Sequence, residues 1–183
     1  MFVFVLALVF AALAPASEAP TTVDPKIFDV PTVEILSSGY SGHENWWLLT
    51  TTGGDYRTVL YIDANSLSEV GGLHRVWLER VYENLSKYGA KRSRSRVDVD
   101  CEARRIGAKE LRSFDNLGNE LPGYKAVIEK PKLTPVPAGT VYENVLAFLC
   151  DGKRNYDHLK ADRTPLSDAP EVFILLNERE RSR

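Results

Sequence analysis

Histidine and cysteine are scarce in this chain, three and two among 183 residues. None of His43, His74 or His158 sits in an HExxH, GxSxG or other nucleophile setting, so the zinc-hydrolase and serine-hydrolase chemistries that need those spacings have no foothold. Neither cysteine has a second cysteine or a histidine at ligand spacing, which disfavours a metal site. Glycine-rich phosphate cradles are missing too: Gly53-Gly54 and Gly71-Gly72 read as turns. The formal net charge is -2, whereas general nucleic-acid binding needs a cationic surplus to displace counterions from phosphate. The expectation is therefore a non-enzymatic protein with no catalytic residue, no metal, no cofactor and no nucleic-acid partner.

Long apolar runs are also lacking. The opening run, MFVFVLALVFAALAPA, has an apolar core at 2–13 that is too short to cross a bilayer as a helix. Ala14-Pro15-Ala16 supplies the small-x-small pattern of a signal-peptidase site, so residues 1–16 read as a cleaved secretory signal and Ser17 as the first mature residue. No cysteine follows the run, and a lipid anchor is not expected. Export places the chain in an oxidising compartment, where Cys101 and Cys150 have only each other as intramolecular partners. A disulfide is expected, with buried free thiols as the alternative. It would close a loop of about fifty residues, for which the chain-entropy model gives on the order of 4 kcal/mol.

What remains is 44% hydrophobic and 26% charged, enough for one globular domain with a core. Residues 17–40 are rich in proline, threonine and serine and read as a linker with one short strand at 32–36. Residues 41–150 read as an α+β domain. Aromatic and β-branched stretches at 46–51, 58–63 and 74–82 are strands, separated by glycine turns. The segment 92–114 is long for one strand, and Gly107 marks a bulge, a bend or a break. Asp115-Asn116-Leu117-Gly118-Asn119 is a strong turn, followed by a weaker segment at 124–129. Short turns between consecutive strands give an antiparallel meander. Thr140 and Glu143 have capping-box spacing, and Val141, Val145, Leu146 and Leu149 recur on one helical stripe. The helix packs on one sheet face, and the disulfide would join it to a strand. Residues 151–183 form a polar, partly disordered extension, with a strand or helical turn at 171–177 and a fraying tail.

The stretch KRSRSRVDVDCEARR alternates charged and apolar side chains. In a strand, Arg92, Arg94, Arg96, Asp98, Asp100 and Glu102 share one face, while Val97, Val99, Cys101 and Ala103 share the other. A solvated outer face with charged cross-strand contacts is the ordinary reading. The functional alternative makes Arg92, Arg94 and Arg96 a cationic patch for a sulfated glycan or acidic protein. Asp98 and Asp100 are expected to pair with Arg96 and Arg104 rather than to do acid–base work. Of the adjacent Trp46 and Trp47, only one can share a face with Trp77.

Taken in order, Trp46-Trp47, Tyr61-Ile62-Asp63 with Ser66, Val76-Trp77, Asp100-Cys101, the 115–118 turn, Pro137-Ala138-Gly139-Thr140 and Cys150 form a set whose specificity lies in its order. Across 46–150 this set resembles the surface-adhesin protein E family of Gram-negative bacteria. The resemblance implies an antiparallel sheet with helix packing, a cysteine pair bridging strand and helix, and export to the periplasm or cell surface. It also implies binding of host matrix and plasma proteins such as laminin, vitronectin and plasminogen. Trp46, Tyr61, Asp63, Trp77 and Asp100 are then signature residues with structural roles. The chain departs from the family in lacking the lipoprotein cysteine, and no ligand-contact motif carries over residue by residue. The reading is a secreted or periplasmic binding domain that presents a sheet surface to a protein or glycan partner, with a homodimer left open. The alternative is an envelope structural or small-ligand-binding module on the same scaffold, without host adhesion.

Overall fold

The computed structural model describes residues 40–53, 56–153 and 159–182. The signal, the linker up to residue 39 and the expected strand at 32–36 lie outside the described residues. The strands β1 (Trp46–Thr52), β2 (Thr58–Val70), β3 (Leu73–Tyr82), β4 (Arg92–Asp100) and β5 (Arg105–Phe114) follow one another as an antiparallel meander. Short strands β6 (Ala126–Val127), β7 (Thr134–Pro135) and β8 (Leu159–Lys160) complete an eight-stranded sheet in the order β6-β5-β4-β3-β2-β1-β8, with β7 also pairing β5. Helix α1 (Val141–Leu149) covers one sheet face and helix α2 (Pro165–Arg181) packs on the other.

The 92–114 segment breaks into two strands, but at residues 101–104 rather than at Gly107. Asp100 makes that turn: its Oδ1 accepts the Ala103 amide at 2.9 Å, and its Oδ2 accepts from Arg105 at 2.9 Å. The Ala103 amide and the Arg105 guanidinium hold the Asp100 carboxyl below its usual range. Gly107 stays in the ladder opposite Asp98 for a different reason. A Cβ there would lie 2.9 Å from the Lys132 carbonyl oxygen, so glycine lets the 131–134 segment cross over β5. The bulge sits two residues on, where the β4–β5 register shifts between Arg96 and Val97.

Periodicity of two sorts side chains between the faces. Leu60, Ile62, Val76, Leu78, Val97, Val99 and Ile106 meet Val145, Leu146 and Phe148 of α1. Cys101, immediately after β4, is bonded to Cys150 at the end of α1, with Cα atoms 5.3 Å apart, so strand end and helix end are covalently joined beside this core. The capping box is only half made. Glu143 accepts the Gly139 amide at 2.7 Å, whereas the Thr140 hydroxyl turns back to the Pro137 carbonyl at 2.8 Å.

The C-terminal segment departs from expectation. Instead of a partly disordered extension, residues 165–181 form a helix, and residues 159–160 pair with β1. Thr164-Pro165 is a cap followed by proline at the first helical position, which pre-sets the backbone angle for a helix start. Ala169 and Phe173 bury against Trp46, Leu48, Val59, Tyr61 and Val81. The Tyr61 hydroxyl donates to Asp168 at 2.7 Å, and Asn177 donates to Glu83 at 3.2 Å.

That second layer converts the charged face of β4 into interior. Arg92 and Glu79 are both 0% exposed. Glu79 Oε2 lies 3.4 Å from Arg92 Nη1 and accepts from Arg94 Nε at 3.0 Å, while Tyr40 donates its hydroxyl to Oε1. Burial, then the neighbouring Glu79 carboxylate, pushes the Tyr40 hydroxyl well above the usual phenol range, so it remains a donor. The Arg92 guanidinium also stacks over Phe114 at 3.9 Å. A solvated outer face was the wrong expectation for Arg92, because the covering layer comes from sequence-distant Tyr40 and Phe114. Removing the central carboxylate should be severe: Glu79→Ala leaves two arginines facing the interior without their counter-ion and is expected to lower unfolding stability in urea by about 3–5 kcal/mol. A loss below ~1 kcal/mol would show that the cluster contributes little.

Candidate functional site

Two recesses lie on opposite faces of the sheet. The first grows out of a defect in β2, whose register against β3 shifts between Asp63 and Ser68. Ser66 repairs the ladder: its hydroxyl accepts the Trp77 amide at 2.8 Å and donates to the Asp63 carbonyl at 2.7 Å. Asp63 itself accepts the amides of Asn45 at 2.8 Å and Asn65 at 3.1 Å, fastening the segment before β1 to the sheet. Asn65 adds a bond to the His43 carbonyl at 2.7 Å. Register places Trp46 opposite Asp63 and Asp63 opposite Trp77, so the three form a row across adjacent strands. Under the 41–45 segment this row opens into a cavity of about 260 Å³, which Glu44, Asn65 and Arg94 also line. Trp47 points to the other face, where its ring meets Phe148 edge-on at 5.8 Å. Of the two adjacent tryptophans, then, Trp46 is the one that joins Trp77.

The two carboxyls of the cavity are pushed in opposite directions. Burial raises Asp63, helped by the charge of Glu44 and opposed by the two amide bonds. Burial also raises Glu44, but hydrogen bonds from Ser41 outweigh it and hold Glu44 below its ordinary range.

The three arginines considered as a patch have separate fates. Arg92 is sealed beneath the covering layer. Arg94 forms a wall of the cavity, its guanidinium 5.3 Å from the Trp46 ring. Arg96 lies opposite Trp77 and stacks over its ring at 5.8 Å. The aspartates also choose other partners than expected. Asp98 is gripped by Arg75 through two bonds of 2.6 and 2.9 Å, and Asp100 bonds Arg105. Arg104 reaches instead to Asp151 at 3.0 Å.

The second recess is a groove of about 490 Å³ on the α1 face. Arg80, Tyr82, Ser93 and Ser95 lie along it, so the serines of the Arg-Ser repeat border open space while its first arginine is core. Its rim is aromatic: Tyr88 is 52% exposed, Tyr124 39% and Tyr142 37%. The Tyr88 and Tyr124 rings contact each other at 5.0 Å. Sequence reasoning missed this groove, since its tyrosines come from a hairpin loop, a short 3-10 turn at Pro122–Tyr124 and the first turn of α1. No local periodicity links them.

These features define a small disulfide-linked α+β sheet domain of binding type, with one polar cavity and one aromatic groove. The chain belongs to the surface-adhesin protein E family, whose family model matches residues 46–151, more than half of its length. No curated protein and no solved structure matches it. The signature residues Trp46, Tyr61, Asp63 and Trp77 gather on the α2 face, and Asp100 shapes the hairpin that carries Cys101.

The position of Asp63 makes a pH prediction. A carboxyl held above its ordinary range prefers its protonated form in the fold, so ionising it as pH rises past about 4 costs stability until the raised value is passed. Asp63→Asn keeps an oxygen acceptor for the Asn45 and Asn65 amides and removes the titration. Its urea midpoint is expected to gain on that of the parent between roughly pH 4 and 7. A constant difference across that range would mean that burial does not dominate at Asp63.

Proposed function

We propose that this chain is an exported, non-catalytic binding domain of the adhesin type that holds a protein partner in the tyrosine-rimmed groove. The observation that carries the reading is the set of exposed tyrosines around an uncovered stretch of sheet. Tyrosine brings large contact area at small entropic cost and is enriched where proteins recognise one another. Arg80 and Lys132 line the same groove and Lys87 sits 4.7 Å over the Tyr88 ring, which favours a partner segment with acidic groups. Membership of a surface-adhesin family supports a location outside the cytoplasm. No helix among the described residues is long and apolar enough to cross a membrane. Cleavage after Ala16 and the absence of a following cysteine favour a protein released to the periplasm or beyond, without a lipid anchor.

Two measurements test this reading. Protein recovered from the envelope of a Gram-negative host is expected to have a mass beginning at Ser17, with Cys101 and Cys150 alkylated only after reduction. An unprocessed chain with free thiols would remove export. Against immobilised host matrix and plasma proteins, saturable binding is expected that Tyr88→Ser with Tyr124→Ser weakens at least about tenfold, the size of losing one interface hot spot. Binding left intact by that double substitution would move the contact elsewhere on the domain.

A further inference from the structure

The cavity on the α2 face is separate from the groove, and its chemistry points to a different ligand. We propose that the space between Trp46 and Trp77 is a binding site for one neutral sugar ring, presented free or at the end of a glycan. Size is the first argument. At about 260 Å³ the cavity falls below the range for drug-sized ligands and suits a single small ring.

Wall chemistry is the second. Two indoles supply broad apolar surface for the C–H faces of a pyranose, and they stand on either side of Asp63 in one cross-strand row. Around them, Glu44 offers a carboxylate acceptor, Arg94 a guanidinium and Asn65 an amide, a mixture suited to hydroxyl groups that both donate and accept. Trp46 is 4% exposed, and its indole N–H finds no hydrogen-bond partner among the described residues, so this wall carries a buried donor whose need an oxygen-rich ligand meets.

Charge is the third, because it rules against ions of either sign. An ammonium would seek the faces of the two indoles, yet the Arg94 guanidinium already stands over Trp46 and that of Arg96 over Trp77. A sulfate or carboxylate would meet Glu44 and Asp63 at close range. A neutral, hydroxyl-bearing ring avoids both conflicts.

The test uses the purified chain and a panel of neutral hexoses, 6-deoxyhexoses and N-acetylhexosamines, followed by tryptophan fluorescence. At least one sugar is expected to give a saturable change, weakened tenfold or more in Trp77→Ala and in Asn65→Ala. Circular dichroism establishes that each variant is folded; Asn65 is exposed, so its variant keeps the test valid should Trp77→Ala fail to fold. Because the groove lies on the other face, Tyr88→Ser with Tyr124→Ser is expected to bind the same sugar as the parent does, whether or not the groove holds a protein. Host glycoprotein glycans and bacterial envelope polysaccharide present the same ring chemistry, and titration with each separates the two sources. The proposal is overturned if no neutral sugar saturates, if folded Asn65→Ala binds undiminished, or if tetramethylammonium or sulfate binds more tightly than every sugar.

Discussion

One buried carboxylate organises the α2 face of this domain. Glu79 is shared by Arg92, Arg94 and Tyr40, and so ties two neighbouring strands to the segment that precedes β1. Taking these charges from water is expensive, and the arrangement holds because each is matched: guanidinium to carboxylate, hydroxyl to carboxylate, guanidinium to aromatic ring. The same match fixes Arg94 beside Trp46 and so shapes the cavity wall. Arg75 and Asp98 repeat the pattern further along the same pair of strands, again with the carboxylate almost fully buried. Cross-strand register therefore serves electrostatics as well as backbone bonding.

Local patterns made much of the sheet legible. Period-two alternation and glycine turns located the first three strands within one residue at most ends, because those signals are written in adjacent side chains. β2 was an exception. It continues to Val70, with Ser66 supplying by its side chain the acceptor that the bulged backbone cannot. The break at 101–104 was hidden because Cys101-Glu102-Ala103-Arg104 contains no glycine or proline; Arg104 itself takes a positive φ of 50°. Helix α2 was mistaken for an extension, since Pro170 lies within it and its apolar stripe is narrow, with Ala169 and Phe173 buried near its middle. Neither recess was legible. Both are assembled from residues that only register and the helix positions bring together.

The family signature and the binding surfaces need not coincide. Asp63, Ser66, Tyr61 and Asp100 each satisfy a backbone or interlayer hydrogen bond, so any chain with this sheet requires groups able to do so. The groove tyrosines satisfy no such requirement. Family membership accordingly speaks to the scaffold, while the loops and edges around it are where two members can differ in what they hold.

The Cys101–Cys150 bond has a mechanical meaning for a domain that holds a partner under flow. Tension applied through the two chain ends travels along the covalent path and crosses from residue 101 to residue 150 through sulfur. Strands β5, β6 and β7 and helix α1 lie inside the bypassed loop, off the load path. The 49 residues of that separation would otherwise pay out roughly 160–175 Å of chain when extended. Under load the bond keeps the connecting loop short, and it leaves α1 and part of the groove rim unstretched even where β1 and β8 have been pulled apart.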